Sequence, residues 1–179
     1  MSQKPYMVMR TDDIEPFTHP EETAYHSQHL FGEEVTGAHD LLLNRGVVDA
    51  HLGLGGTNHP DNDEIYYALS GWAYVDLGGH PERGDGARTY RLDVGSIVFV
   101  PAGVFHRLRN VSDEPFSLLT IWPQPAARGA NGIHDLRLDE WGTGFKLREG
   151  CRLVVEDRAA RVTEPAAGWD PMVTDGATG

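Results

Sequence analysis

GSIVFVPAGVFHRLRN, residues 95–110, reads as two short strands joined by a tight turn. Gly95 closes the preceding turn, and Ile97 to Val100 is an apolar strand. Pro101 and Gly103 build a sharp reversal, since proline presets φ and glycine tolerates conformations other residues avoid. The chain re-enters a strand at His106. Alternate residues of a strand share a face, so His106 and Leu108 point one way and Arg107 and Arg109 the other.

Upstream, GTNHPDNDEIYYALSG, residues 56–71, sets His59 shortly before Glu64, and an apolar, aromatic run follows to Leu69 and Gly71. By the same alternation Glu64, Tyr66 and Ala68 share a face, as do Thr57 and His59 if that segment is extended. One barrel interior collects all of these. Two imidazoles and a carboxylate are too costly as bare polar groups in a dry interior, but they are what a divalent metal needs.

Around these stretches the chain is cut into short pieces by 21 glycines and 11 prolines. Strands are expected at Leu41 to Asn44, Val47 to Leu54, Ile65 to Leu69, Trp72 to Leu77, Thr89 to Leu92, Ser96 to Val100, His106 to Arg109 and Phe116 to Trp122. Segments this short at this spacing predict an all-β domain, a small antiparallel β-barrel or sandwich. Helical signal is thin: a turn or two at Glu21 to Phe31, and another at Ile133 to Trp141. No internal repeat is visible. The reading divides the chain into an N-terminal extension (1–35), a barrel (36–125) and a C-terminal extension (126–179). Residues 159–179 lack periodicity, and Trp169 and Met172 are expected to pin them to the barrel or to a second subunit.

Composition narrows the function classes. A chain of 179 residues is one domain by size and can enclose a pocket. Its formal charge of −12, with no clustered Lys and Arg, argues against nucleic acid. No apolar run is long enough to span a bilayer, and the first residues lack the apolar core of a signal peptide. The single cysteine, Cys151, excludes an intramolecular disulfide and suits a reducing cytoplasm. It has no partner histidine at a recognisable spacing and reads as structural.

Gly95, Pro101, Gly103, His106 and Asn110 resemble the second cupin motif, G-x5-P-x-G-x2-H-x3-N, at every fixed position. His59, Glu64 and Gly71 are similar to the second histidine, the glutamate and the closing glycine of the first motif, G-x5-H-x-H-x4-E-x6-G. The resemblance covers roughly residues 40 to 123, with one copy of each motif, as in a monocupin. It implies that His59, Glu64 and His106 bind one metal inside a small β-barrel. Two positions depart from the pattern: Thr57 stands where the first histidine belongs and His51 where the first glycine belongs. The remaining donors have the composition of a 2-His-1-carboxylate triad, which is associated with non-haem Fe(II). Zinc, nickel, manganese and copper are the other divalent ions to weigh. Thr57, the fourth position, either leaves its site to water or lends a weak hydroxyl donor. His51 lies too far back along an extended strand to substitute without a bulge, and Asp61 is a less apt ligand than Glu64.

Taken singly, His59 reads as a turn histidine, His106 as a core histidine and Glu64 as the start of an edge strand; their shared register favours ligation. Tyr66 shares the face of Glu64, and these two are the candidate catalytic residues. Trp72, Tyr74 and Trp122 read as barrel core, and Arg107 and Arg109 as a solvated face. His19, His26, His29 and His39 belong to a segment able to cover the barrel mouth, while His80 and His134 fall in polar loops. Cupins include dioxygenases, isomerases, decarboxylases, lyases, cyclases and binding proteins, so fold does not decide activity. The expectation is an oxygenase acting on a small organic substrate. A Lewis-acid cyclase, isomerase or lyase is the rival, and a non-catalytic sugar- or metabolite-binding module the third. A homodimer is expected, because a short barrel needs its edges covered.

Overall fold

The computed structural model describes residues 6–37, 41–79, 86–122, 132–156 and 159–163. Its strands are β1 (Tyr6–Val8), β2 (Phe17–Thr18), β3 (Tyr25–Phe31), β4 (Leu42–Val48), β5 (Glu64–Ser70), β6 (Ala73–Leu77), β7 (Arg88–Leu92), β8 (Ile97–Val100), β9 (His106–Arg109), β10 (Phe116–Trp122), β11 (Arg152–Glu156) and β12 (Ala159–Thr163). Two helices, α1 (Glu33–Thr36) and α2 (Gly132–Trp141), and a 3-10 turn at Thr11–Asp13 complete the described elements.

Six strands form an antiparallel sheet in the order β2-β3-β4-β10-β5-β8, and three form a second in the order β7-β6-β9. Inward side chains from both sheets make one core: Tyr66 and Ala68 of β5, Ala73 and Val75 of β6, Leu92, Val100, Leu108, and Phe116 and Leu118 of β10. Burying such side chains, each worth about 1.5–3 kcal/mol for the larger ones, holds the two sheets together. A smaller sheet, β1-β12-β11, pairs β1 with β12 in parallel. Gly71 shows why the β5–β6 turn needs glycine. Its φ is +70°, and a Cβ there would lie 2.6 Å from the Pro115 carbonyl oxygen.

The all-β reading stands, and most strands fall where alternation puts them. Four expectations need correction. Tyr25–Phe31 is a strand and not a helical turn, because pairing with β4 from Tyr25 to Phe31 satisfies its backbone. For the same reason residues 17–18 and 25–31, read as part of an N-terminal extension, lie within the sheet as β2 and β3. Of the expected strand from Val47 to Leu54 only Val47 and Val48 fall in a strand, the end of β4, which runs unbroken from Leu42 through Arg45 and Gly46. His51 then turns the chain with a left-handed φ of +60°. At the C-terminal side, Ala159–Thr163 is ordered as β12 against β11, whereas Trp169 and Met172 lie outside the described residues. Helix α2 forms where the sequence indicates.

Candidate metal centre

Glu64 is the first residue of β5 and His106 the first of β9, so one strand from each sheet delivers a donor to the cavity. His59 arrives from the loop before β5. That loop is fixed by the Gly103 N–H donating to the His59 carbonyl over 2.7 Å and by Asp63 Oδ1 accepting from the Ala102 N–H over 2.9 Å. The turn that carries Pro101 and Gly103 therefore also holds the His59 loop.

His106 Nδ1 lies 3.0 Å from the Val104 carbonyl, which can only accept. Nδ1 must carry the proton, leaving the Nε2 lone pair directed at Glu64 Oε2, 3.4 Å away. His59 Nε2 is 3.8 Å from the same oxygen. One donor atom from each of the three residues lies within 4.8 Å of the others, and Glu64 and His106 are buried. Tyr66 Oη donates to Glu64 Oε2 over 3.0 Å. The edge of Trp122 packs on the His59 ring at 4.4 Å.

Electrostatics follow from burial. Desolvation pushes the Glu64 carboxyl up to about 8, against the Tyr66 hydrogen bond that pulls it down. Desolvation, helped by His106, takes His59 down to about 4. His106 is also lowered by burial, opposed by the Val104 carbonyl. Two neutral imidazoles thus face a carboxyl that burial discourages from ionising. A divalent cation reverses that bias, so the donor set fits a metal.

The cavity in front of the cluster has a volume of about 660 Å³. Thr57 lines it and bridges His106 through backbone bonds of 3.0 and 2.9 Å. Directly opposed residues of an antiparallel pair share a face, so Thr57 and His106 look the same way. His51 is elsewhere, its Nε2 3.0 Å from Asp113 Oδ1. Asp61 is exposed on the cavity wall and stands outside the cluster. His19 lines the cavity, and His26 bonds Thr18 and Asp49. His29 is buried, its ring 5.6 Å from that of His134, which sits on α2 and not in a polar loop. His39 and His80 lie outside the described residues.

Two further corrections concern side chains read from sequence as surface or core. Arg107 and Arg109 are not a solvated face: both grip the buried Asp76, at 2.9 Å each. Trp72 and Tyr74 are half-buried on the outer face, with Arg91 over Trp72 at 4.2 Å. Trp122, read as plain core, also lines the cavity, and so do Tyr25, Asn44 and Thr120, which sequence reasoning passed over. A signal existed for two of them. Asn44 and Thr120 are polar residues in the inward rows Leu42, Asn44, Gly46, Val48 and Phe116, Leu118, Thr120, Trp122, which are otherwise without polar side chains on the core face.

Residues 53–122 match the family model of the cupin domain. That stretch is a cupin domain. Over 75 residues the chain is 36% identical to the glucose-6-phosphate isomerase of Thermococcus onnurineus strain NA1, a match covering 42% of this chain and 38% of that protein. The chain spans between a third and a half of the length of the curated glucose-6-phosphate isomerases it matches. Among solved structures, a predicted oxalate decarboxylase from Thermotoga maritima superposes with a TM-score of 0.56 at 20% identity, over 66% of this chain and 99% of that one. The oxalate decarboxylase of Lactobacillus farciminis superposes with a TM-score of 0.55 at 18% identity, over 73% and 39%. At such identities the likeness is one of fold.

Proposed function

We propose that this protein is an enzyme that binds one divalent transition metal through His59, Glu64 and His106 and acts on a small organic molecule, as a non-haem Fe(II) dioxygenase or oxygenase. The observation that carries the reading is the cluster of three donor atoms within 4.8 Å of one another, facing a cavity of about 660 Å³. Two imidazoles and one carboxylate leave coordination positions open, and Thr57 brings no imidazole to fill a fourth. When bound, Fe(II) supplies positions that bring an organic oxygen donor and dioxygen together, whereas zinc, nickel, manganese or copper supplies Lewis acidity.

The chain's own groups do the rest. Glu64 ligates through a carboxylate oxygen and is the nearest proton acceptor, while Tyr66 holds a proton at Oη beside it. Burial of both keeps water from competing for that hydrogen bond. Trp122 fixes the ring of His59. A second reading, a Lewis-acid isomerase, cyclase or lyase, draws support from the glucose-6-phosphate isomerases among its relatives and from the same Glu64–Tyr66 proton pair.

Metal analysis of protein purified without chelator tests the common core. Oxygen uptake by Fe(II)-loaded protein across small enolates, phenols and hydroxy acids then separates the readings. Stoichiometric metal with substrate-dependent uptake is expected. Turnover under nitrogen with zinc or nickel moves the assignment to the second reading, and absence of stoichiometric metal sinks both in favour of a metal-free binding module.

We further propose a homodimer residing in the cytoplasm. The lone cysteine suits that compartment, and among the described residues no helix is long and apolar enough to cross a membrane. Support for the dimer comes from the outer face of the edge strand β8. Ile97 is 72% and Phe99 58% exposed there, beside the exposed Tyr67 and Leu69 of β5.

A further inference from the structure

Next to Tyr66 the sheet carries two polar side chains that the metal cluster leaves unused. The register pairs Tyr66 with Thr120, and Thr120 with Asn44, so the three stand in one row on one face of the sheet. Asn44 is 2% exposed and Thr120 6%, yet both line the cavity. Buried polar atoms in proteins nearly always find partners. Asn44 has one, Arg137 Nη1, which donates to its Oδ1 over 3.1 Å. A guanidinium has no acceptor, so the atom facing it must be the carbonyl oxygen, and Nδ2 with its two hydrogens points elsewhere. Among the described residues nothing accepts from Asn44 Nδ2 and nothing bonds Thr120 Oγ1. Neither atom is among the unpartnered side-chain atoms sealed from the surface, so both reach the cavity.

Arg137 is itself fully buried and is held by Ser27 Oγ at 2.5 Å. Helix α2 thus sets the orientation of an amide on β4. Donation to Oδ1 also polarises that amide and strengthens its N–H groups as donors. The charge of the wall narrows what they receive. Among its described residues one Lys or Arg lines the cavity, Arg107, whose Nε and Nη2 are committed to Asp76. His19 Nδ1 accepts the backbone N–H of Glu21 and of Glu22. Glu21, Glu22 and Asp61 contribute carboxylates to the same wall. Among the described residues, an anionic group entering the metal-free cavity meets like charge and no Lys or Arg left free of a carboxylate.

We propose that Asn44 and Thr120 form a subsite for a hydroxyl or carbonyl oxygen of an uncharged, oxygen-rich small molecule, with Arg137 positioning the Asn44 amide as donor. The assignment rests on reading the cavity as a substrate site.

Xylitol serves as the probe, titrated into 15N-labelled full-length protein with and without zinc while the Asn44 side-chain amide pair is followed by NMR. That pair is expected to shift saturably in both. Asn44→Asp keeps an acceptor for Arg137 but removes the donor. It should raise the xylitol dissociation constant about five- to ten-fold, the worth of one hydrogen bond, while zinc affinity and the backbone spectrum stay those of the unmodified protein. Thr120→Val, close in shape, should cause a comparable loss. Xylonate should bind the metal-free protein more weakly than xylitol. An amide pair that xylitol leaves unmoved, unchanged xylitol affinity in Asn44→Asp, or xylonate binding as tightly as xylitol overturns the proposal. The two readings fail separately. A shifted amide pair without zinc binding removes the metal and leaves the subsite, and bound zinc with an unmoved pair does the reverse.

Discussion

His106 shows how much one residue is asked to do. Its backbone pairs with Thr57, its Nδ1–H is tied to the Val104 carbonyl, and its Nε2 faces Glu64. Loss of an outer partner of a metal ligand typically costs ten- to a hundred-fold in affinity. Loss of the ligand itself, in His106→Ala, should exceed about a hundred-fold on that scale, with circular dichroism retaining the β signature because the apolar core is untouched. Glu64→Gln should weaken binding less, since an amide oxygen remains. Unchanged metal content in both variants would place the site elsewhere. Thr57 looks the same way as His106, so Thr57→His should add a coordinate bond and tighten zinc about ten-fold in competition titrations. It should lower turnover as well, by occupying a position meant for substrate. No gain in affinity would mean that this backbone bridge does not direct residue 57 at the ion.

Strands β6 and β9 are locked by charge as well as by their ladder. Asp76 takes hydrogen bonds from Arg109, Thr89 and Arg107, and these, Arg109 first, hold its carboxyl well below the usual carboxylate range. A group whose folded pKa is depressed stabilises the fold above its unfolded pKa, about 3.9 for Asp. That contribution is lost as pH falls toward the folded value. Asp76→Asn should therefore cost about 2 kcal/mol at neutral pH, the scale of hydrogen bonds to a charged group. Urea unfolding should show the gap between variant and parent narrowing as pH drops below about 4, and a pH-independent gap would refute the ionic origin. This clamp was invisible in the sequence. Arg107 and Arg109 alternate outward as expected of a surface, and the carboxylate that receives them sits on a neighbouring strand reached only through the β6–β9 register.

At the scale of the molecule, β8 ends the larger sheet with an apolar outer face, and a second copy is the proposed cover. Light scattering should give about twice the monomer mass of 19.7 kDa. Phe99→Glu, placing a charge on that face, should return the mass to that of one chain without unfolding it. A monomer in the unmodified protein would sink the dimer. The cluster of His59, Glu64 and His106, proposed here as the metal's donors, could be picked out from sequence because each residue belongs to a local pattern. A Pro-Gly turn before a strand and period-two alternation along it are decided within a few residues. Fold class followed from the same short-range signals repeated along the chain. The tertiary structure alone decided that Tyr25–Phe31 is a strand, since its partner β4 outweighed any local helical tendency. It alone brought Asn44 and Thr120, from β4 and β10, to one cavity wall and set Arg137 of α2 against the Asn44 amide. Spacing along a chain sets which residues share a face; which faces meet is set by strand register and helix docking, and these arise only when the whole core is buried.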